Sequence, residues 1–355
     1  MKRLTAYVLL TVLFLSGCGA RMSPDEAQES IQVIAMDTAM LITTYGERSP
    51  AAAYACEDTI RDLEKKLSRT LEDSDVSRLN AAGRRMEIQG DLLRLLRSAG
   101  WYYELTDGAF DVTVAPVVSA WGFTADGFRV PSQAELDGLL ELVDGSQVSM
   151  TDYHTDTATV RLGPGQSIDL GGIAKGYAAD RIVEVLREYD VPRANINLGG
   201  NVLAYGDRPD GTPWRVGVQD PARAGEQNAF AGVLALTDAY AVTSGGYQRY
   251  FEEGGRRYHH IIDPATGYPA DSGLSSVTVV ANIGEGSGTM CDALSTALFI
   301  MGEEQALDFW RKGVPDAGFD LVLVTEDGRA VVTEGLADRF TLEEASGYTL
   351  EVVSP

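Results

Sequence analysis

Hydrophobic and polar positions along the chain fall into segments of two periods. Residues 31–45 alternate loosely around Met36, Met40, Thr43 and Thr44, which predicts a strand or hairpin. Helical spacing follows. Ser49-Pro50 opens a helix, with Ser as N-cap and Pro at N1, and Ile60, Leu63 and Leu67 form its apolar face. Asp91 starts a second helix, with Leu92, Leu95, Leu96, Ala99 and Tyr103 on one side. Ser132-Gln133-Ala134-Glu135 has the form of a capping box and leads a third, whose Leu136, Leu139, Leu140 and Val143 point inward. A fourth runs over residues 173–189, with Ala178, Ile182 and Val185 on one face.

Strands dominate afterwards. Residues 159–162 and Ile168 predict short strands, and 194–198, 202–205, 214–218, 230–236 and 239–243 predict further ones. Residues 289–301 read as a buried helix, because Leu294, Ala297, Leu298 and Ile300 leave little polar surface, and 303–311 as another helix. Residues 319–333 read as a hairpin turning at Glu326-Asp327-Gly328. Helices come early and strands come in runs later. That order favours an α+β fold, with mixed or antiparallel sheets and packed helices, over a regular βαβ array. No Pro-rich or Gly/Ser-rich linker divides residues 31–355, so they form one catalytic unit.

The N-terminus departs from this pattern. Lys2 and Arg3 precede an uncharged run, 4–15, that is too short to cross a bilayer, which takes roughly 20 apolar residues. The run has the length of a signal-peptide core and ends in Leu15-Ser16-Gly17-Cys18. This looks like a bacterial lipobox. On that reading residues 1–17 are removed, Cys18 carries lipid, and 18–30 tether the domain to the extracytoplasmic face of a membrane. A plain signal peptide with an incidental Cys is the alternative. The remaining cysteines, Cys56 and Cys291, fall in different predicted helices and read as free, buried thiols.

Composition narrows the chemistry. The formal charge of the 355-residue chain is −23, which argues against nucleic acid as a partner. Three Cys and three His cannot readily supply a Cys/His zinc site, so a metal would take oxygen ligands.

Four stretches carry candidate chemistry. Asp169-Leu-Gly-Gly-Ile-Ala-Lys175 places Gly171 and Gly172 before a helix, where free N–H groups and the dipole suit an anion. Asp169 and Lys175 bracket that turn, which could equally be a plain strand-to-helix connection. Asp292 and Thr296, spaced i and i+4, share one face of an otherwise apolar helix and would suit a hard cation such as Mg²⁺. A dipole-complementing Asp, with Thr296 bonded one turn back, is the other possibility. Two of the three histidines, His259 and His260, lie beside an Asp-Pro and Thr-Gly turn. Alternation points them opposite ways, and His259 reads as structural. Ser244 has no His/Asp partner at a defensible spacing, which argues against a serine-hydrolase triad. Gly108-Ala-Phe-Asp111-Val-Thr113 could line a pocket for a planar ring or belong to the core.

Together these stretches resemble the ApbE family of FAD:protein FMN transferases. The similar segments, in order, are Met36 near a Thr-rich strand; Leu67-Ser68; Asp75-Val-Ser-Arg-Leu-Asn80; Gly108-Ala-Phe-Asp111; and the Asp169–Asp180 stretch. Asn197-Leu-Gly-Gly-Asn201, Thr243-Ser-Gly, His260-Ile-Ile-Asp-Pro-Ala-Thr-Gly and Asp292-Ala-Leu-Ser-Thr296 complete the set, which spans residues 36–302. The resemblance implies that FAD lies with its pyrophosphate over Gly171–Gly172 and that Mg²⁺ is held by Asp292, Ser295, Thr296 and the Gly172 carbonyl. It implies attack by a Thr or Ser hydroxyl of an acceptor protein on the FMN-side phosphorus, with AMP leaving. It assigns FAD contacts to Met36, Thr70, Ala109, Phe110, Asp111, Asp169, Lys175 and Ile262, and gives His260 a part in removing the acceptor's proton. Two positions depart from the family pattern. Val112 stands where Pro is common, and Thr70 where an aromatic is common. A missing ring would admit water, so FAD hydrolysis to FMN and AMP is one alternative, and passive flavin binding is another.

Overall fold

A strand buried on both faces loses its polar alternation, and Leu321-Val-Leu-Val324 shows this here. Leu321 and Leu323 face a helical layer, whereas Val322 and Val324 face a second sheet. The computed structural model describes residues 27–83, 85–123, 127–151 and 156–355, with strands β1–β17 and helices α1–α7 numbered along the chain. Cys18, the signal segment and most of the tether lie outside these residues.

One nine-stranded sheet organises the chain. Its order is β1 (Gln28–Ala35), β2 (Thr38–Tyr45), β6 (Arg193–Asn197), β7 (Asn201–Tyr205), β10 (Ala239–Gly245), β13 (Leu274–Asn282), β14 (Asp320–Thr325), β15 (Arg329–Thr333) and β17 (Thr349–Val353). All neighbours are antiparallel except β15 and β17, so the sheet is mixed and the fold is α+β. Helices α1 (Ser49–Leu67), α3 (Gly90–Leu105), α6 (Ala174–Glu188) and α7 (Ser287–Lys312) bury their apolar stripes in the core on one face. The sheet β16 (Phe340–Leu342), β9 (Phe230–Leu236) and β8 (Trp214–Gln219) packs on the other, through Trp214, Val216, Leu234 and Phe340. A small sheet of β3 (Arg85–Gln89), β5 (Thr157–Arg161) and β4 (Ser149–Thr151), the hairpin β11 (Tyr250–Glu253) and β12 (Arg256–His259), and helices α2 (Asp75–Ala82), α4 (Ala115–Trp121) and α5 (Gln133–Leu140) complete the fold.

Most predicted elements are present, with informative differences. Ser49 is not the cap of α1. Arg48 holds that position, and the buried Ser49 hydroxyl donates to the Thr44 carbonyl (2.8 Å), tying the helix start to β2. Ile168 is not in a strand, because the Asn80 side chain takes both its backbone groups, at 2.8 and 3.0 Å. Only half of the predicted capping box forms: Ser132 accepts from Glu135 N, while the Glu135 carboxylate turns to Arg129. The two helices predicted at 289–301 and 303–311 are both present within α7, parted at Gly302, whose φ of 80° lies in the left-handed region. Strand β1 includes Gln28–Ser30, which sequence assigns to the tether; Ser30 Oγ bonds Thr43 Oγ1 (2.6 Å). Cys56 and Cys291 are free and buried, and burial pushes the Cys56 thiol up to about 12.

Candidate active site

Helices α6 and α7 meet near their N-terminal ends, and two glycines permit the approach. A Cβ on Gly176 would lie 2.2 Å from the Gly288 carbonyl oxygen. At this distance each helix caps the other. Asp180 of α6 accepts from Gly288 N and Thr289 N, both at 2.8 Å, and from Thr289 Oγ1 at 2.6 Å. Asp292 of α7 accepts from Gly176 N through Oδ2 at 2.8 Å. Gly176 N of α6 and Gly288 N and Thr289 N of α7 therefore find partners inside the protein. The Oδ1 atom of Asp292 has Lys175 Nζ at 3.8 Å, in the wall of a cavity of about 510 Å³.

That cavity collects most of the residues sequence analysis singles out. Met36, Thr70, Ala109, Phe110, Asp111, Asp169, Gly172, Lys175, His260, Ile262, Asp292 and Thr296 all line it. Met36 reaches it from the two-residue turn joining β1 to β2, where Met36 and Asp37 have φ of 48° and 57°. Such turns usually take Asn or Gly, so a Met there is a local strain held at the cavity edge. The Met36 N–H donates to Glu64 of α1 (2.6 Å). Gly172 is pressed between Phe110 and Thr296: a Cβ would lie 3.2 Å from the ring and 3.6 Å from Thr296 Oγ1.

Asp169 rigidifies the Gly171–Gly172 turn. Its Oδ1 accepts from Gly171 N and its Oδ2 from Arg69 Nη1, both at 2.8 Å. Arg69 is a cation that sequence reasoning missed, and nothing in its neighbourhood distinguishes it from a surface arginine. Asp111 is buried, and both its oxygens are engaged: Oδ1 by Thr113 N and Oγ1, Oδ2 by Gly145 N. Burial nonetheless pushes its carboxyl above the ordinary range. Its first task is to hold the loop behind Phe110.

A hydroxyl chain backs the metal-type corner. Ser295 donates to the Asp292 carbonyl (2.9 Å) and meets Ser244 Oγ at 2.8 Å, so Ser244 donates to it. Ser244 Oγ lies 3.3 Å from Thr296 Oγ1. Thr296 and Ser244 reach the cavity, whereas Ser295 is fully buried behind them and connects through Ser244. Among the described residues no three His, Cys, Asp or Glu cluster as a metal cage. The corner offers one carboxylate and hydroxyls, which fits Mg²⁺, an ion that completes its shell with substrate phosphates.

The two histidines differ in how many ring nitrogens the protein engages. His259 uses both ring nitrogens, Nε2 toward the Ala270 carbonyl (3.0 Å) and Nδ1 as acceptor from Ile261 N (3.3 Å). His260 places Nδ1 3.2 Å from the Arg249 carbonyl. A carbonyl only accepts, so Nδ1 carries the proton and Nε2 keeps a lone pair. Desolvation, aided by the Arg249 charge, pulls the His260 pKa down to about 3, so the ring is neutral.

Comparison with known proteins decides the family. The ApbE family profile matches residues 36–319. The chain belongs to the ApbE family. It is 33% identical over 356 residues to an FAD:protein FMN transferase of Treponema pallidum, covering 95% of each chain. It is 30% identical to that of Haemophilus influenzae, covering 92% of this chain and 95% of the relative. The fold is similar to the crystal structure of the ApbE protein from Thermotoga maritima, with a TM-score of 0.78 at 34% identity, covering 87% of this chain and 98% of that one. It is also similar to the apo form of the Pseudomonas stutzeri flavinyl transferase ApbE, with a TM-score of 0.74 at 28% identity over 89% and 97% of the two chains. In ApbE terms, the order of motifs along the chain brings the two helix starts, the β1–β2 turn and the His260 loop to one cavity.

Proposed function

We propose that this ApbE protein is an FAD:protein FMN transferase, which moves FMN from FAD to a Thr or Ser hydroxyl of an acceptor protein and releases AMP. One observation carries the mechanism: Asp292 Oδ1, Thr296 and Ser244 converge beside Lys175 and the start of α6. An anionic pyrophosphate over Gly171–Gly172 meets positive charge there, although the protein as a whole carries −23. Asp292, Thr296 and the Gly172 carbonyl would hold Mg²⁺, which supplies neutralisation of phosphate charge and polarises the phosphorus under attack. Phe110, Met36 and Ile262 give the flavin an apolar wall. The unprotonated Nε2 of His260 accepts the acceptor's hydroxyl hydrogen bond and orients its lone pair toward phosphorus. The acceptor oxygen forms a bond to the FMN phosphorus as its proton leaves through His260 Nε2, the bond from that phosphorus to the bridging oxygen breaks, and AMP departs with the bridging oxygen.

A second reading, FAD hydrolysis, is favoured by Thr70. Its short side chain is exposed and bonds Ser68 Oγ (3.0 Å), which leaves that side of the cavity open to water. The Cys18 lipid anchor and an extracytoplasmic location complete the proposal. The anchor rests on the Leu15-Ser16-Gly17-Cys18 motif; among the described residues no helix is long and apolar enough to cross a membrane.

Incubating the full chain with FAD, MgCl₂ and a Thr-bearing flavin-acceptor domain tests this. Covalent FMN on the acceptor with stoichiometric AMP, abolished by EDTA, is expected. FMN and AMP without a labelled acceptor would establish hydrolysis instead, and intact FAD would leave only a binding protein. A Cys18→Ser chain should leave the membrane fraction; one that stays there contradicts the anchor.

A further inference from the structure

Asn201, the first residue of β7, is 2% exposed, yet its carboxamide nitrogen has no hydrogen-bond partner. Buried donors are paired in nearly all native structures, so one left open needs a reason. Asn201 is among the residues that line the catalytic cavity. Strand geometry fixes its surroundings. Asn201 lies opposite Val242 of β10, and Val242 faces the helical core. Ser244, two residues further along β10, therefore projects from the same face as Asn201. Asn201 and Ser244, which belongs to the Ser244–Thr296–Asp292 corner, thus share one face of adjacent strands. The cations around this corner are already engaged: Lys175 has Asp292 at 3.8 Å, and Arg69 holds Asp169 at 2.8 Å. Asn201 supplies an uncommitted donor.

We infer that Asn201 is a substrate-binding residue whose Nδ2–H donates to a phosphoryl oxygen of the dinucleotide. The inference rests on reading the cavity as an FAD site. A neutral amide adds a hydrogen bond to the anion without drawing another carboxylate into the site. In the free protein the same donor is an uncompensated burden, accepted where function requires it.

Two variants test the assignment, Asn201→Leu and Asn201→Asp, by FAD titration of flavin fluorescence and by melting without ligand. Asn201→Leu keeps the branched shape, with bulkier branches, and removes the donor. Its FAD affinity should fall on the order of 10- to 100-fold, while the ligand-free melting temperature stays level or rises. Asn201→Asp should bind FAD more weakly still, because it sets a carboxylate against phosphate. Unchanged FAD affinity in Asn201→Leu overturns the inference. So does a lower ligand-free melting temperature, which would make the residue structural. Affinity restored in Asn201→Asp would move the contact to a donor of the flavin ring and overturn the phosphoryl assignment. A wild-type chain that fails to bind FAD sinks the functional reading itself, a distinct result.

Discussion

Asp180 and Asp292 do the same task on opposite sides of one helix crossing, and only one of them belongs to the cavity. Asp180 spends both oxygens on the start of α7, with three bonds of 2.6–2.8 Å. Asp292 spends Oδ2 on the start of α6 and keeps Oδ1 beside Lys175 in the cavity wall. The histidines repeat the contrast. His259 commits both nitrogens within the protein, while His260 commits one. In each pair the residue with unspent hydrogen-bonding capacity faces the cavity. Burial alone does not separate them, since a buried polar group is normal once it is satisfied.

The contrast can be broken most directly at Asp292. Asp292→Ala should reduce FMN transfer by on the order of 10³-fold or more, measured by AMP release. Its cost in stability should be only about 0.5–2 kcal/mol, the worth of one helix cap. Near-normal turnover would remove Asp292 from the chemistry. Asp180→Ala should show the reverse. Losing three bonds to a half-buried carboxylate should destabilise the fold by about 2–4 kcal/mol in urea titrations, while the folded fraction keeps its activity per molecule. A catalytic loss matching that of Asp292→Ala would erase the distinction.

The remaining effect concerns protons and is absent at neutral pH. The His260 pKa is about 3 when folded, against an ordinary 6.5, so the unfolded chain binds a proton that the folded one refuses. Stability from this group is complete above 6.5 and is lost as pH falls toward 3. His260→Gln should therefore flatten the acid limb by about 1.4 kcal/mol per pH unit, one proton. An unchanged slope between those values would mean that His260 titrates normally. His259 shifts the same way and remains in the variant as an internal reference.

Much of this was legible in the residues. The i, i+4 spacing put Asp292 and Thr296 on one helix face because α-helical periodicity is local. The glycines at 171 and 172 announced a close backbone approach, and Phe110 and Thr296 now account for the second of them. Other features were not legible. Strand β13 fell outside the predicted elements because helices cover one face and β8–β9–β16 the other, which leaves no alternation to read. Ser244 offered no triad spacing, and its role appears only when β10 packs against α7. Arg69 became a site residue through Asp169, a hundred positions away.

By itself the sequence determined the periodic elements and the order of motifs that marks an ApbE protein. Those are consequences of local geometry and composition. The tertiary structure decided which oxygens and nitrogens remain free. Asp180 and Asp292 are the same residue type, each on a helix and each four residues past a glycine. Only the crossing of α6 and α7, set by Gly176 against Gly288, fixes which carboxylate is fully satisfied and which keeps an oxygen for a ligand. Hydrogen-bond capacity is consumed by contacts between distant segments, so its remainder is a property of the fold rather than of the residue.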